Sequence, residues 1–249
     1  QPLPEKYLGE HLWIGQLGQL LILSAIILAI ASVVFYGVAE RRLKKQMDCT
    51  LWKKQGRIAF ILHTISVIGI FGLLLYMITG QYYEYDYVYQ HSSSTLPLKY
   101  VISAFWEGQE GSFLLWIVGH GILGLCLIRW AKKWEAPTML IVSLAQVLLL
   151  SMVLGIHIGS TKIGINPFVL LREKALIRFS DFLPVLEERY LDYIIDGDGL
   201  NALLQNYWMV IHPPVLFLGF ASTIIPFAFV LGAIWRGDQK DWMSAALPW

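Results

Sequence analysis

Five apolar stretches, at roughly residues 12–38, 58–79, 113–130, 137–158 and 214–235 of this 249-residue chain, constrain its fold more than any other feature. A hydrocarbon core about 30 Å thick is crossed by about 20 helical residues at about 1.5 Å each, and every stretch approaches or exceeds that length. Backbone N–H and C=O groups find no water in lipid, so an apolar segment crosses it as a helix that satisfies its own hydrogen bonds. The first stretch is the cleanest, its core LLILSAIILAIASVVF carrying no charge, while the third is short and interrupted by glycine. Composition agrees: 56% of residues are hydrophobic and only 15% charged, and ten Trp and twelve Tyr suit anchoring at a lipid–water interface. The predicted fold is an all-α, polytopic transmembrane helix bundle of about five spans.

Basic residues orient the spans. Arg41, Arg42, Lys44, Lys45, Lys53, Lys54 and Arg57 lie between the first two, Arg129, Lys132 and Lys133 between the third and fourth, and Arg236 and Lys240 after the fifth. Every second connection is therefore basic, which predicts residues 40–57 on the cytoplasmic side and the N-terminus, 80–112 and 159–211 outside. Long outer loops are where function is expected. In one of them Tyr83, Tyr85, Tyr87 and Tyr89 alternate with Glu84, Asp86 and Val88, a period of two that suggests a short extended segment, read as an interfacial tyrosine belt. In the other, residues 181–195 (DFLPVLEERYLDYII) suggest an amphipathic helix lying on the outer surface, with Leu183, Leu186, Tyr190 and Ile194 on one face. DGDG at 196–199 reads as a turn, since the glutamate of a calcium loop has no counterpart.

Two segments carry candidate chemistry. In WMVIHPPVLFLGFASTIIP, residues 208–226, Pro213 disfavours helical geometry for His212 and Pro214 suits a first helical turn, so a helix is expected to start just after His212. The imidazole would then stand at the mouth of an apolar run, either as an interfacial residue or as a metal ligand above Val215, Leu216, Phe217 and Leu218. In LPLKYVISAFWEGQEGSFLLW, residues 96–116, Gly108 and Gly111 permit close backbone approach, and Trp106 and Trp116 bracket Glu107 and Glu110. Three residues apart, the two carboxylates would share a helical face, for acid/base work or simply to meet a helix dipole.

These segments resemble a known family. WEGQEGSFLLW is similar to the W-G-x-H/Q-E-G-S-x-L-L-W block, and GLNALLQNYWMVIHPPVLFLGF to the G-L-N-P-L-L-Q…H-P-P-x-L-Y-x-G-Y block, of the CcmF/CcsA-type cytochrome c maturation (haem lyase) family; SSSTLPLKY and INPF also have counterparts. The resemblance runs over most of residues 10–249. It implies haem (haem b) as cofactor and His212 as an external axial ligand to its iron; Trp106, Glu107, Glu110, Pro213 and Pro214, which lie in the matching blocks, and His120, between two glycines, are the further candidates around the cofactor. It further implies a lipid bilayer, an apocytochrome c and other maturation subunits or a haem chaperone as partners, and the bacterial inner membrane with a periplasmic working face. The activity implied is that of a holocytochrome c synthase subunit, with no catalytic side chain of its own.

Departures from the family pattern qualify this. Ala202 replaces a usual proline, Gln109 stands where many members have histidine, and the tryptophan-rich W-G-x-W-W-x-W-D-P-V-E-N segment that precedes the second external ligand is absent. Residues 1–249, which open with Gln1, are accordingly expected to be the N-terminal membrane segment of a larger protein. A haem carrier or exporter without ligation activity and a non-haem transporter are the other classes the spans allow. His120, between Gly119 and Gly121, suits helix packing or a planar cofactor; His63 and His157 read as structural, and His11 and His91 as solvated. Cys49 and Cys126 form no CxxC pair, and a net charge of +1 gives no ground for a nucleic-acid partner.

Overall fold

The computed structural model describes residues 7–158, 161–178, 190–238 and 241–249. Five of its helices are long and apolar enough to cross a membrane: α1 (Leu12–Lys44), α2 (Thr50–Thr79), α5 (Gln109–Trp130), α6 (Glu135–Met152, extended by a 3₁₀ turn from Lys132) and α8 (Tyr207–Arg236). The expected class holds, and α1, α2, α5 and α8 are longer than the apolar runs alone mark, whereas α6 ends earlier. α1, at 33 residues, is about 50 Å long and carries Arg41, Arg42 and Lys44 in its last turn, where cations meet the negative end of the helix dipole. α2 begins at Thr50, eight residues before the apolar run, because the Asp48 carboxylate accepts from the Thr50 N–H and hydroxyl and so supplies a helix start. α6 stops at Met152 rather than 158; an antiparallel hairpin follows, β1 (Ile156–Ile158) on β2 (Thr161–Ile163).

α1 packs on α2 and α6, and α5 on α2 and α6, closing a four-helix ring; α8 lies outside it against α5 and α6. All three basic connections come to one end of this bundle, where Lys53, Arg57, Lys133 and Arg236 are paired with carboxylates. The Glu135 carboxylate, 2% exposed, takes two 2.6 Å hydrogen bonds from the Arg57 guanidinium, a third contact at 3.3 Å from Lys53 and one from the Tyr36 hydroxyl. Glu40, fully buried, is held the same way by Arg236 at 2.6 and 2.7 Å, which ties α8 to α1. Two-pronged pairing gives these buried carboxylates the hydrogen bonds that water would otherwise supply.

The opposite end is capped by short helices α3 (Asp86–His91), α4 (Leu98–Ala104) and α7 (Leu171–Arg178). The alternating tyrosines do not form a strand: α3 begins at Asp86, and a backbone bridge from Tyr85 to Leu170 is the only extended pairing there among the described residues. Nor are they an interfacial belt, since Tyr85 and Tyr87 are buried. The Tyr85 hydroxyl donates to the His11 carbonyl and accepts from Gly15 N–H, and the Tyr83 hydroxyl donates to Asp196; hydrogen bonding, not alternation, places them. His11 is likewise engaged rather than merely solvated, its Nδ1 2.9 Å from Glu84. Of the amphipathic helix expected at 181–195, residues 181–189 lie outside the described residues, and Tyr190–Tyr193 is a 3₁₀ turn. The DGDG segment is a turn as expected, with Asp196 accepting from Tyr83, Ser93 and Ser94. The Tyr83 hydroxyl, first among these donors, holds that carboxyl well below the usual range.

Candidate functional site

α8 starts six residues earlier than Pro213 and Pro214 suggest. Asn206 is its N-cap: its side-chain oxygen accepts from the N–H groups of Trp208 at 3.0 Å and Met209 at 3.2 Å, and the helix then runs unbroken through both prolines. The prolines therefore sit in the second turn. His212 is a helical residue rather than a residue held at the mouth of one, which corrects the expectation drawn from Pro-Pro alone.

The helix presents His212 to the outside of the bundle. His212 is exposed, and among the described residues no hydrogen bond or ion pair engages its imidazole. Trp208, Val215 and Leu216, one turn above and below it on the same side, are exposed too, at 69%, 61% and 39%. Gly219, two turns on, has nothing within 4 Å of where a Cβ would be, so that face stays open. Beneath it, Phe217 and Phe220 pack on Trp116 of α5, with ring centroids 6.3 and 5.6 Å away. A free imidazole flanked by apolar side chains is a donor suited to one axial position of a haem iron.

Behind the start of α8 stands the loop between α4 and α5. Trp106 donates its indole N–H to the Met209 carbonyl at 2.8 Å, the Tyr100 hydroxyl donates to the Gln205 carbonyl at 3.0 Å, and the Asn201 N–H donates to the Glu107 carboxylate. Close backbone approach at Gly111 is real: a Cβ there would lie 1.6 Å from the Phe105 carbonyl oxygen, and at Gly108 it would meet Tyr87 and His91. The two carboxylates do not share a helical face. Gly108, in extended geometry as the N-cap of α5, separates Glu107 in the loop from Glu110, which is buried in the first turn. Glu107 instead lines a polar cavity of ≈ 590 Å³ with Asp86, Tyr89, Gln90, His91, Leu171 and Asp198; burial pushes its pKa up, against the Asn201 N–H. His91, expected to be solvated, stacks on Tyr87 at 4.2 Å and shares a 2.8 Å hydrogen bond between Nδ1 and the Tyr87 carbonyl, and burial lowers its pKa.

His120 lies deeper, its ring 6.0 Å from that of Trp116. It is 3% exposed in the interior, both ring nitrogens lack a hydrogen-bond partner, and its flanking glycines are spent on helix packing, Gly119 against Ala221 of α8 and Gly121 against Thr64 of α2. His63 is buried with Nδ1 2.9 Å from the Ala25 carbonyl. Sequence reasoning missed Asn201, Asn206 and Tyr100. An asparagine just ahead of an aromatic–apolar run is a helix-start signal that competes with Pro-Pro and would have located α8.

Taken together, these features define a multi-pass helical membrane protein with an open histidine face at one end of its bundle. No protein-family model matches the chain. It is 29% identical over 243 residues to the cytochrome c-type biogenesis protein CcmF of Pseudomonas fluorescens, covering 96% of this chain and 32% of that protein. It is 30% identical over 164 residues to CycK of Bradyrhizobium diazoefficiens, covering 65% and 21%, and 28% identical over 179 residues to the probable biogenesis protein NrfE of Escherichia coli, covering 72% and 28%. A solved structure titled cytochrome c haem lyase CcmF shares the fold with a TM-score of 0.68 at 18% identity, over 94% of this chain and 32% of that one. The chain is thus a homologue of the cytochrome c-type biogenesis proteins CcmF, NrfE and CycK, and it spans about a third of the length of the Pseudomonas fluorescens CcmF.

Proposed function

We propose that the chain is the haem-presenting part of a cytochrome c biogenesis protein, with His212 as one axial ligand to haem iron. The observation that carries this is the unengaged, exposed imidazole of His212 on a capped and clamped helix turn, flanked by Trp208, Val215 and Leu216. When bound, haem supplies the porphyrin that is attached to an apocytochrome c. The chain's own residues would position: the His212 imidazole would hold the iron, and its apolar neighbours would shelter the porphyrin from water. No side chain here serves as a nucleophile. On this reading the paired basic end faces the cytoplasm of a bacterial inner membrane and the His212 end faces the periplasm, where other maturation subunits or a haem chaperone deliver the cofactor.

Absorbance of the purified complete protein tests the reading. A haem Soret band at near-stoichiometric intensity is expected. A colourless, fully folded preparation from haem-replete cells would contradict it and favour a non-haem transporter.

A further inference from the structure

Pro213 and Pro214 leave two neighbouring carbonyls of α8, those of Met209 and Val210, without helical donors, and the first gap lies one residue beyond His212. In an α-helix the N–H of residue i donates to the carbonyl of residue i−4, so Pro213, which has no N–H, leaves the Met209 carbonyl without its helical donor. An orphaned carbonyl in an apolar setting is costly, and helices with such a gap bend or hinge there. Trp106 fills this gap. Its indole Nε1 donates to the Met209 oxygen at 2.8 Å, an ordinary length for such a bond, and its ring is set edge-on to Phe105 at 6.4 Å. Tyr100 and Glu107, from the same side, hold Gln205 and Asn201 just ahead of the helix.

We propose that Trp106 is a positioning residue, whose indole N–H replaces the hydrogen bond deleted by Pro213 and thereby fixes the direction in which α8 presents His212. The role of the tryptophan is then backbone support rather than stacking on the porphyrin, and this inference rests on the reading of His212 as a haem ligand. The proline removes a donor from within α8, and the tryptophan returns one from the α4–α5 loop. A movement of that loop is therefore transmitted to the turn that carries the imidazole through this hydrogen bond, beside the ties from Tyr100 and Glu107 to the residues ahead of the helix.

The complete protein carrying Trp106→Phe, Pro213→Ala, both together, or His212→Ala tests the proposal, with carbon monoxide binding to ferrous haem as readout. Trp106→Phe keeps the ring and removes the donor; a less firmly held imidazole is displaced more easily, so carbon monoxide affinity should rise about ten-fold, the worth of one hydrogen bond. In Pro213→Ala the N–H of residue 213 is free to serve Met209, so adding Trp106→Phe should change affinity by less than about two-fold. The same change in both backgrounds, or none in either, overturns the positioning role, and if His212→Ala still loses haem the ligand reading survives. Full haem retention in His212→Ala overturns both. Should Trp106→Phe fail to accumulate, the wild-type protein decides: slow exchange of the Trp106 indole proton supports the bond, and exchange as fast as for an open indole refutes it.

Discussion

The two ends of the bundle solve opposite problems. At the basic end, every buried carboxylate is enclosed by the groups that neutralise it: Glu135 by Arg57, Lys53 and Tyr36, and Glu40 by Arg236. At the other end carboxylates are paired too, but the imidazole of His212 is left open, and hydrogen bonds hold the backbone behind it, on Gln205 and Met209. Saturated polar groups rigidify a fold, whereas an unengaged imidazole on a rigid backbone is ready for a ligand. On the proposed function, the difference separates residues that hold helices together from one that is held for use.

Substitutions at the two ends should therefore fail in different ways. The largest effect is expected for Glu135→Gln, which leaves Arg57 and Lys53 facing a group that cannot answer their charge. Loss of one partner of such a pair costs about 3 kcal/mol, the low end of the range because Arg57 retains contact with water. Thermal unfolding in detergent should show the drop while haem per folded protein stays constant; loss of haem without loss of stability would erase the contrast between the ends. Asn206→Ala should cost about 1 kcal/mol, the value of one N-cap. Its first turn should fray, and the effect should be read in haem content more than in global unfolding, because the cap lies six residues from His212. An unchanged haem content together with a reduced melting temperature would place Asn206 with the structural residues.

Much of this was legible in the chain itself. The spans follow from apolar run length, because lipid admits little but helices, and the grouping of basic connections at one end follows from their alternation. Gly111 announced a close backbone approach, which the structure makes to Phe105. What misled was local geometry that several residues decide jointly. Pro213 and Pro214 signal a helix start only if nothing upstream caps the helix, and Asn206 does. The tyrosine alternation signals a strand only if side-chain hydrogen bonds do not claim the same residues, and those to His11, Gly15 and Asp196 do. Glu107 and Glu110 shared a face only on the assumption of an unbroken helix, which extended Gly108 interrupts. The tie from Trp106 to Met209 joins positions 103 apart in sequence; the orphaned carbonyl was deducible from Pro213, but not the donor that reaches it.

The central claim is that His212 is held for use, and one measurement bears on it most directly: haem bound per complete protein in His212→Ala, with and without added imidazole. The account predicts unchanged protein in the membrane, loss of most of the haem and of holocytochrome c formation, and partial return of haem when imidazole occupies the vacated axial position. Haem content and Soret position indistinguishable from wild type would show that His212 only marks the second turn of α8.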